Sequence, residues 1–133
     1  MGGHHLILGE LGDFISGEML TDTHDERYRQ KIARFLVAEK GYAKADIHPR
    51  NLMIVTAGNR KGRLMLDFAV TVDDRTAMVI KYGPGSLVTR YRPTLAISRL
   101  VVPYQIPVVV VTNGESADIL DGETGKLIGS GFD

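Results

Sequence analysis

The sequence contains no cysteine, which excludes disulfide staples and thiolate metal sites and fits a reducing compartment. Long apolar runs are also missing. Leu100–Val102 and Val108–Val111 are among the longest, far short of the ~20 residues that a spanning helix needs. The N-terminus lacks a basic stretch followed by an apolar signal core, so a cytoplasmic protein without a membrane segment is the expectation. Net charge is absent too: 16 basic residues balance 16 acidic ones, and the whole-molecule field favours neither nucleic acid nor membrane. The opening MGGHH reads as an expression remnant or a native segment, with His4 and His5 on the surface or disordered rather than ligating a metal.

A local absence says more. Between Arg75 and Gly114 there is no Asp or Glu, while Arg75, Lys81, Arg90, Arg92 and Arg99 all occur there. From Glu115 onward the balance reverses, with Glu115, Asp118, Asp121, Glu123 and Asp133 against Lys126. Two readings fit: a fold with one positive face, or an ordinary solvated surface.

What is present is enough apolar material for one core. A chain of 133 residues, 44% hydrophobic, suits a single α/β or α+β domain over 1–133, with 1–20 as a lead-in. Leu6–Gly17 suggests an extended segment or a short helix. Thr21–Asp25 supplies capping residues, and a helix from about Asp25 to Lys40 follows, ended by Gly41. Its apolar side carries Tyr28, Ile32, Phe35 and Leu36, extended by Ala33 and Val37. At 100° per residue Glu26 and Gln30 point toward that same side.

Strands are expected at Leu52–Thr56, Leu64–Val72 and Ala77–Tyr82, joined by the polar turn 58–62 and the tight turn Asp73–Arg75. Gly83, Pro84 and Gly85 end the meander as an ordinary tight turn, or else aim backbone donors at an anion ahead of a helix start at Ser86. That helix should run to about Val102, with Pro93 kinking it or starting a second segment. Val108–Thr112 reads as a buried strand, and Asp118–Leu120 with Lys126–Ile128 as a final hairpin.

One stretch departs from this pattern chemically. In Leu64–Val72 alternation sets Leu64, Leu66, Phe68, Val70 and Val72 on one face, and Asp67 on the other between Met65 and Ala69. In Ala77–Tyr82 it sets Ala77, Val79 and Lys81 together. An acid and an amine on adjacent strands among small or apolar neighbours form either a site or a half-buried ion pair, with Glu26 capping or pairing locally.

The segments DERYRQKIARFLVAEKGYAKADI, LDF around Asp67, and IPVVVVTNGESADILDGETGKLI together resemble the N-terminal nuclease domain of type I restriction enzyme R subunits and its stand-alone relatives. The resemblance spans roughly Leu20–Ile128, and its most specific pieces are the helix with its Arg29-Gln30 pair and the VVVTNG strand. It implies a restriction-endonuclease-like core of the PD-(D/E)XK kind: helix, three-strand antiparallel meander, crossover helix, strand, plus a C-terminal hairpin. It also implies a Mg²⁺ site built from a helix acid, a strand aspartate and an E-x-K. Carboxylates hold Mg²⁺, which polarises a phosphate and activates water, while the lysine offsets developing charge. Position by position, Glu26 and Asp67 match the metal ligands and Lys81 completes the catalytic set, with Arg90, Arg92 and Arg99 near the phosphates of DNA.

The match fails at the third carboxylate, where Val79 stands at the E of E-x-K. The following helix offers no acid in its place, and Ala96 and Leu100 occupy the positions assigned to its usual glutamine and tyrosine. The expectation is a nuclease-fold protein acting on or binding DNA with weak Mg²⁺ binding and weak or no cleavage. The alternatives are an active Mg²⁺-dependent endonuclease using Glu26, Asp67 and Lys81, or an interaction module pairing as a homodimer or with restriction-system subunits.

Overall fold

The computed structural model describes residues 6–131, so His4, His5 and Asp133 lie outside the described residues. The fold is mixed α+β and divides into two compact units, 1–47 and 48–133. In the first, β1 (Leu6–Gly12) and β2 (Met19–Thr23) form an antiparallel pair. The lead-in is therefore a strand of a hairpin. Its turn is tied by Asp13, whose backbone N–H bonds Glu18 O and whose carboxylate accepts from Ser16 N and Oγ. Because the glycines break any apolar period here, only the pairing with Met19–Thr23 reveals the strand.

Helix α1 spans His24–Ala38. Thr23 caps it, accepting from Glu26 N at 3.1 Å, with Asp25 and Glu26 in the first turn where acids suit the helix dipole. At the other end Gly41 takes φ +76° and Tyr42 N returns to Leu36 O, so the last carbonyls find donors. Ile32, Ala33 and Leu36 are buried as their spacing requires, and so is Gln30. The Gln30 amide donates to Asp13 Oδ1 at 2.8 Å and accepts from Phe14 N at 2.6 Å, which offsets the cost of its burial.

The second unit is a six-stranded sheet in the order β3-β4-β5-β6-β7-β8. Strand β3 (Ile47–Ala57) turns at Gly58-Asn59 into β4 (Arg60–Val72). The Gly58 φ of +62° suits the first position of a tight hairpin turn. Asp73 and Asp74 both take positive φ, 51° and 64°, closing β4 against β5 (Arg75–Tyr82) with Val72 opposite Arg75. Aspartate is one of the few side chains that tolerates this conformation.

Helix α2 (Tyr91–Val101) crosses over to β6 (Val108–Thr112), which lies parallel to β5. The helix does not start at Ser86; a 3-10 turn, Val88–Arg90, comes first. Pro93 explains this. Its missing N–H is harmless only in the first turn, where no intrahelical acceptor exists, so the helix begins just upstream of it. Strands β7 (Ala117–Asp121) and β8 (Leu127–Ser130) complete the sheet antiparallel to their neighbours.

Register lines up Ala69, Val79, Val109 and Leu120 in one row across β4 to β7. With Leu95 of α2 and Ile106 they form the core of this unit. Gly122 is fixed by the same packing: a β-carbon there would sit 1.8 Å from the carbonyl oxygen of Ile106. Among the described residues no helix is long and apolar enough to cross a membrane.

Candidate functional site

The charges lie two residues along from that core row. Ladder pairing of β4 with β5 runs from Val72–Arg75 to Phe68–Ile80, and one step further Asp67 faces Lys81. The side chains take over from the ladder at this point. Asp67 Oδ2 accepts from the backbone N–H of Tyr82 at 2.7 Å, and Lys81 Nζ donates to the carbonyl of Met65 at 2.8 Å. Each charged group satisfies a main-chain partner on the other strand.

The two charges lie 3.7 Å apart, with Asp67 fully buried and the Lys81 side chain about a quarter exposed. At an effective dielectric of 20 their attraction is on the order of 4 kcal/mol. Desolvation of a buried carboxylate offsets several kcal/mol of that. The main-chain bonds tip the balance toward a stable pair, because charge-assisted hydrogen bonds contribute about 1.5–3 kcal/mol each.

Lys81 is in register with Val111, and Val111 with Asp118. Tyr91 of α2 donates its hydroxyl to Asp118 Oδ2 at 2.5 Å, and Ser130 Oγ bonds Oδ1 at 3.3 Å. Hydrogen bonding to Asp118 raises the Tyr91 pKa above the ordinary tyrosine value. Asp118 lies two strands from Lys81, about 10 Å in the hydrogen-bonding direction. The sequence reading passed over Tyr91 and Asp118; their strand and helix positions are legible, but their meeting depends on where α2 crosses the sheet.

Val79, which the resemblance set at the E of E-x-K, is fully buried. Glu26 belongs to the first unit, where its carboxylate pairs with Arg29 at 2.7 Å, one turn along α1. Among the described residues no three His, Cys, Asp or Glu side chains gather as a metal-holding group.

The cations of the acid-free span have separate uses. Arg75 stacks on the Tyr104 ring at 3.8 Å, and the Tyr104 hydroxyl accepts from Thr76 N, which lowers its pKa. Arg90 lies over Gly83, where a β-carbon would come within 2.3 Å of its Cζ, and donates to Pro84 O at 2.6 Å. Gly83 N itself bonds Thr112 O. The Gly83-Pro84-Gly85 segment is thus a turn clamped by Arg90, and with no helix at Ser86 there is no dipole behind it to attract an anion. Arg92 and Arg99 are exposed on α2, with Arg99 reaching Glu123 O at 3.4 Å. Ala96 and Leu100 are exposed as well, while Thr94, Leu95 and Ser98 form the buried side of that helix.

A family model described as type I restriction enzyme R protein N terminus matches residues 24–130. The chain belongs to this family. The match takes in α1, the whole sheet and α2, and so holds Glu26, Asp67, Val79 and Lys81 within one family segment. No curated protein and no solved structure gives a significant match.

Proposed function

We propose that this restriction-enzyme family domain serves a restriction system as a DNA-associating, nuclease-derived module that no longer cleaves. Its core descends from the restriction-endonuclease-like arrangement of helix, antiparallel meander, crossover helix and strand, an order that the chain follows. The observation that carries the reading is how Asp67, Lys81 and Val79 are used. The carboxylate holds the Tyr82 N–H, the amine holds the Met65 carbonyl, and the third ligand position is a hydrocarbon inside the core.

This donor set does not suit a resident Mg²⁺. That ion demands near-octahedral oxygen ligation and keeps several waters, whereas Asp67 is fully buried with an ammonium 3.7 Å away. A cation standing close to the carboxylate supplies the charge that a metal would supply. Asp67 and Lys81 thus persist as a staple that joins β4 and β5 where their ladder ends.

Plasmid nicking tests this. With Mg²⁺ or Mn²⁺ at high protein concentration, the chain should nick supercoiled DNA no faster than its Asp67→Ala variant. Metal-dependent nicking that disappears in Asp67→Ala would establish an active nuclease and overturn the reading.

A further inference from the structure

We infer that the β3–β4 hairpin is a nucleic-acid-gripping ribbon whose cations Arg60, Lys61 and Arg63 seat on the phosphates of a duplex. This rests on the proposal that the domain associates with DNA, and it assigns the contact to a surface other than α2.

The first support is geometric. Strand β4 is 13 residues long, but its ladder with β5 covers only Phe68–Val72. Before that ladder begins, β3 is the sheet neighbour of β4. A two-stranded ribbon therefore runs beyond the rest of the sheet and ends in the exposed turn Gly58-Asn59. A ribbon of this kind fits a major groove about 12 Å wide.

The second support is charge. From Ile47 to Leu66 there is no Asp or Glu, while Arg50, Arg60, Lys61 and Arg63 all occur. This concentration stands out in a chain with zero net charge. Residues 60–63 are all exposed. Among the described residues the side chains of Arg60, Lys61 and Arg63 take part in no hydrogen bond or ion pair. Alternation sets Lys61 and Arg63 on one face of β4, about 7 Å apart, and Arg60 on the other. Three unpaired like charges within four residues repel one another and contribute nothing to folding, whereas a polyanion neutralises them and releases its counterions.

On β3, Leu52, Ile54 and Thr56 share one face and are exposed. These residues suit contact with sugars and base edges. They also lie on an edge strand, which a second copy could extend, but pairing two ribbons would bring their cations together. Helix α2 offers less to a duplex, since its cations are Arg92 and Arg99 alone and Arg90, just before it, is held by Pro84.

Anisotropy of a labelled 20-base-pair duplex, titrated with the full chain between 50 and 200 mM salt, tests the assignment. Replacing Arg60, Lys61 and Arg63 together by glutamine should weaken binding at least tenfold at 50 mM. It should also reduce the slope of log affinity against log salt by about 2.7, the contribution of three phosphate contacts. The pair Arg92→Gln and Arg99→Gln should cost less. Wild-type binding with an unaltered triple variant, or a larger loss from the α2 pair, overturns the ribbon and leaves DNA association standing. Absence of any duplex binding by the wild type overturns both. A dimer that Ile54→Lys dissociates, with no effect of the triple variant on DNA, would assign the edge to a second copy instead.

Discussion

The two halves of β4 belong to one strand and obey opposite rules. From Arg60 to Arg63 every residue is exposed, the charges are cationic and unpaired, and β3 is the neighbouring strand. From Leu66 to Val70 every residue is buried, and the one charge, Asp67, is matched by Lys81 and by a backbone N–H. A charge is tolerable in the first half because water screens it. In the second half it persists only because partners replace the water. Exposed unpaired charge suits recognition, whereas buried paired charge holds a fold together.

The largest way to break this contrast is to place a carboxylate inside the buried core row, at Val79. Val79→Glu should cost about 3–5 kcal/mol in urea unfolding, the scale for an uncompensated buried charge. A variant that stays as stable as wild type and gains Mg²⁺ affinity by calorimetry would show that the row is a latent metal site rather than core.

Truncating the staple should cost somewhat less. Asp67→Ala leaves the Tyr82 N–H without its acceptor and Lys81 without its counter-charge, a loss of about 3 kcal/mol. Asp67→Asn keeps an acceptor for Tyr82 and should retain part of that stability. Equal losses from the two variants would mean that the charge, not the main-chain bond, is what matters.

A smaller effect is expected at the far end of the row. The raised Tyr91 pKa means that the neutral phenol, donating to Asp118, is favoured by folding. Its contribution is fully present below the ordinary tyrosine value near 10 and is lost as pH rises through the higher folded value. Absorbance titration should show one phenol ionising after the others, and Tyr91→Phe should remove that late phase. If the variant titrates like wild type, the Tyr91–Asp118 bond does not form in solution.

The ribbon should show the least effect on stability. Arg60→Gln, Lys61→Gln and Arg63→Gln together should move unfolding by no more than about 0.5 kcal/mol each way, as for exposed positions with no partner. Loss of several kcal/mol would mean that these cations hold the fold and would erase the contrast between the halves.

Much of the architecture was legible because it repeats with a period. Ile32, Ala33 and Leu36 fall on one stripe of α1, and Val108–Thr112 is an unbroken β-branched run of the kind a buried central strand requires. The turn at Asp73-Asp74 follows from side chains that accept positive φ. The hairpin of Leu6–Gly12 with Met19–Thr23 was not legible, because its glycines leave no alternation to read. Nor was the start of α2, where Ser86 offers a good cap but Pro93 sets the boundary.

By itself the sequence determined the family, the order of most elements and the pairing of one acid with one amine across neighbouring strands. These depend on local spacing and on residue type. The tertiary structure alone decided what the pair is for. Whether a carboxylate meets water, a metal or a backbone N–H depends on where two strands part, and that in turn depends on contacts far apart in the chain. The same holds for the cations: Arg75, Arg90 and Lys81 resemble Arg60, Lys61 and Arg63 in sequence. Only folding brings the first three against a ring, a turn and a carbonyl and leaves the other three exposed.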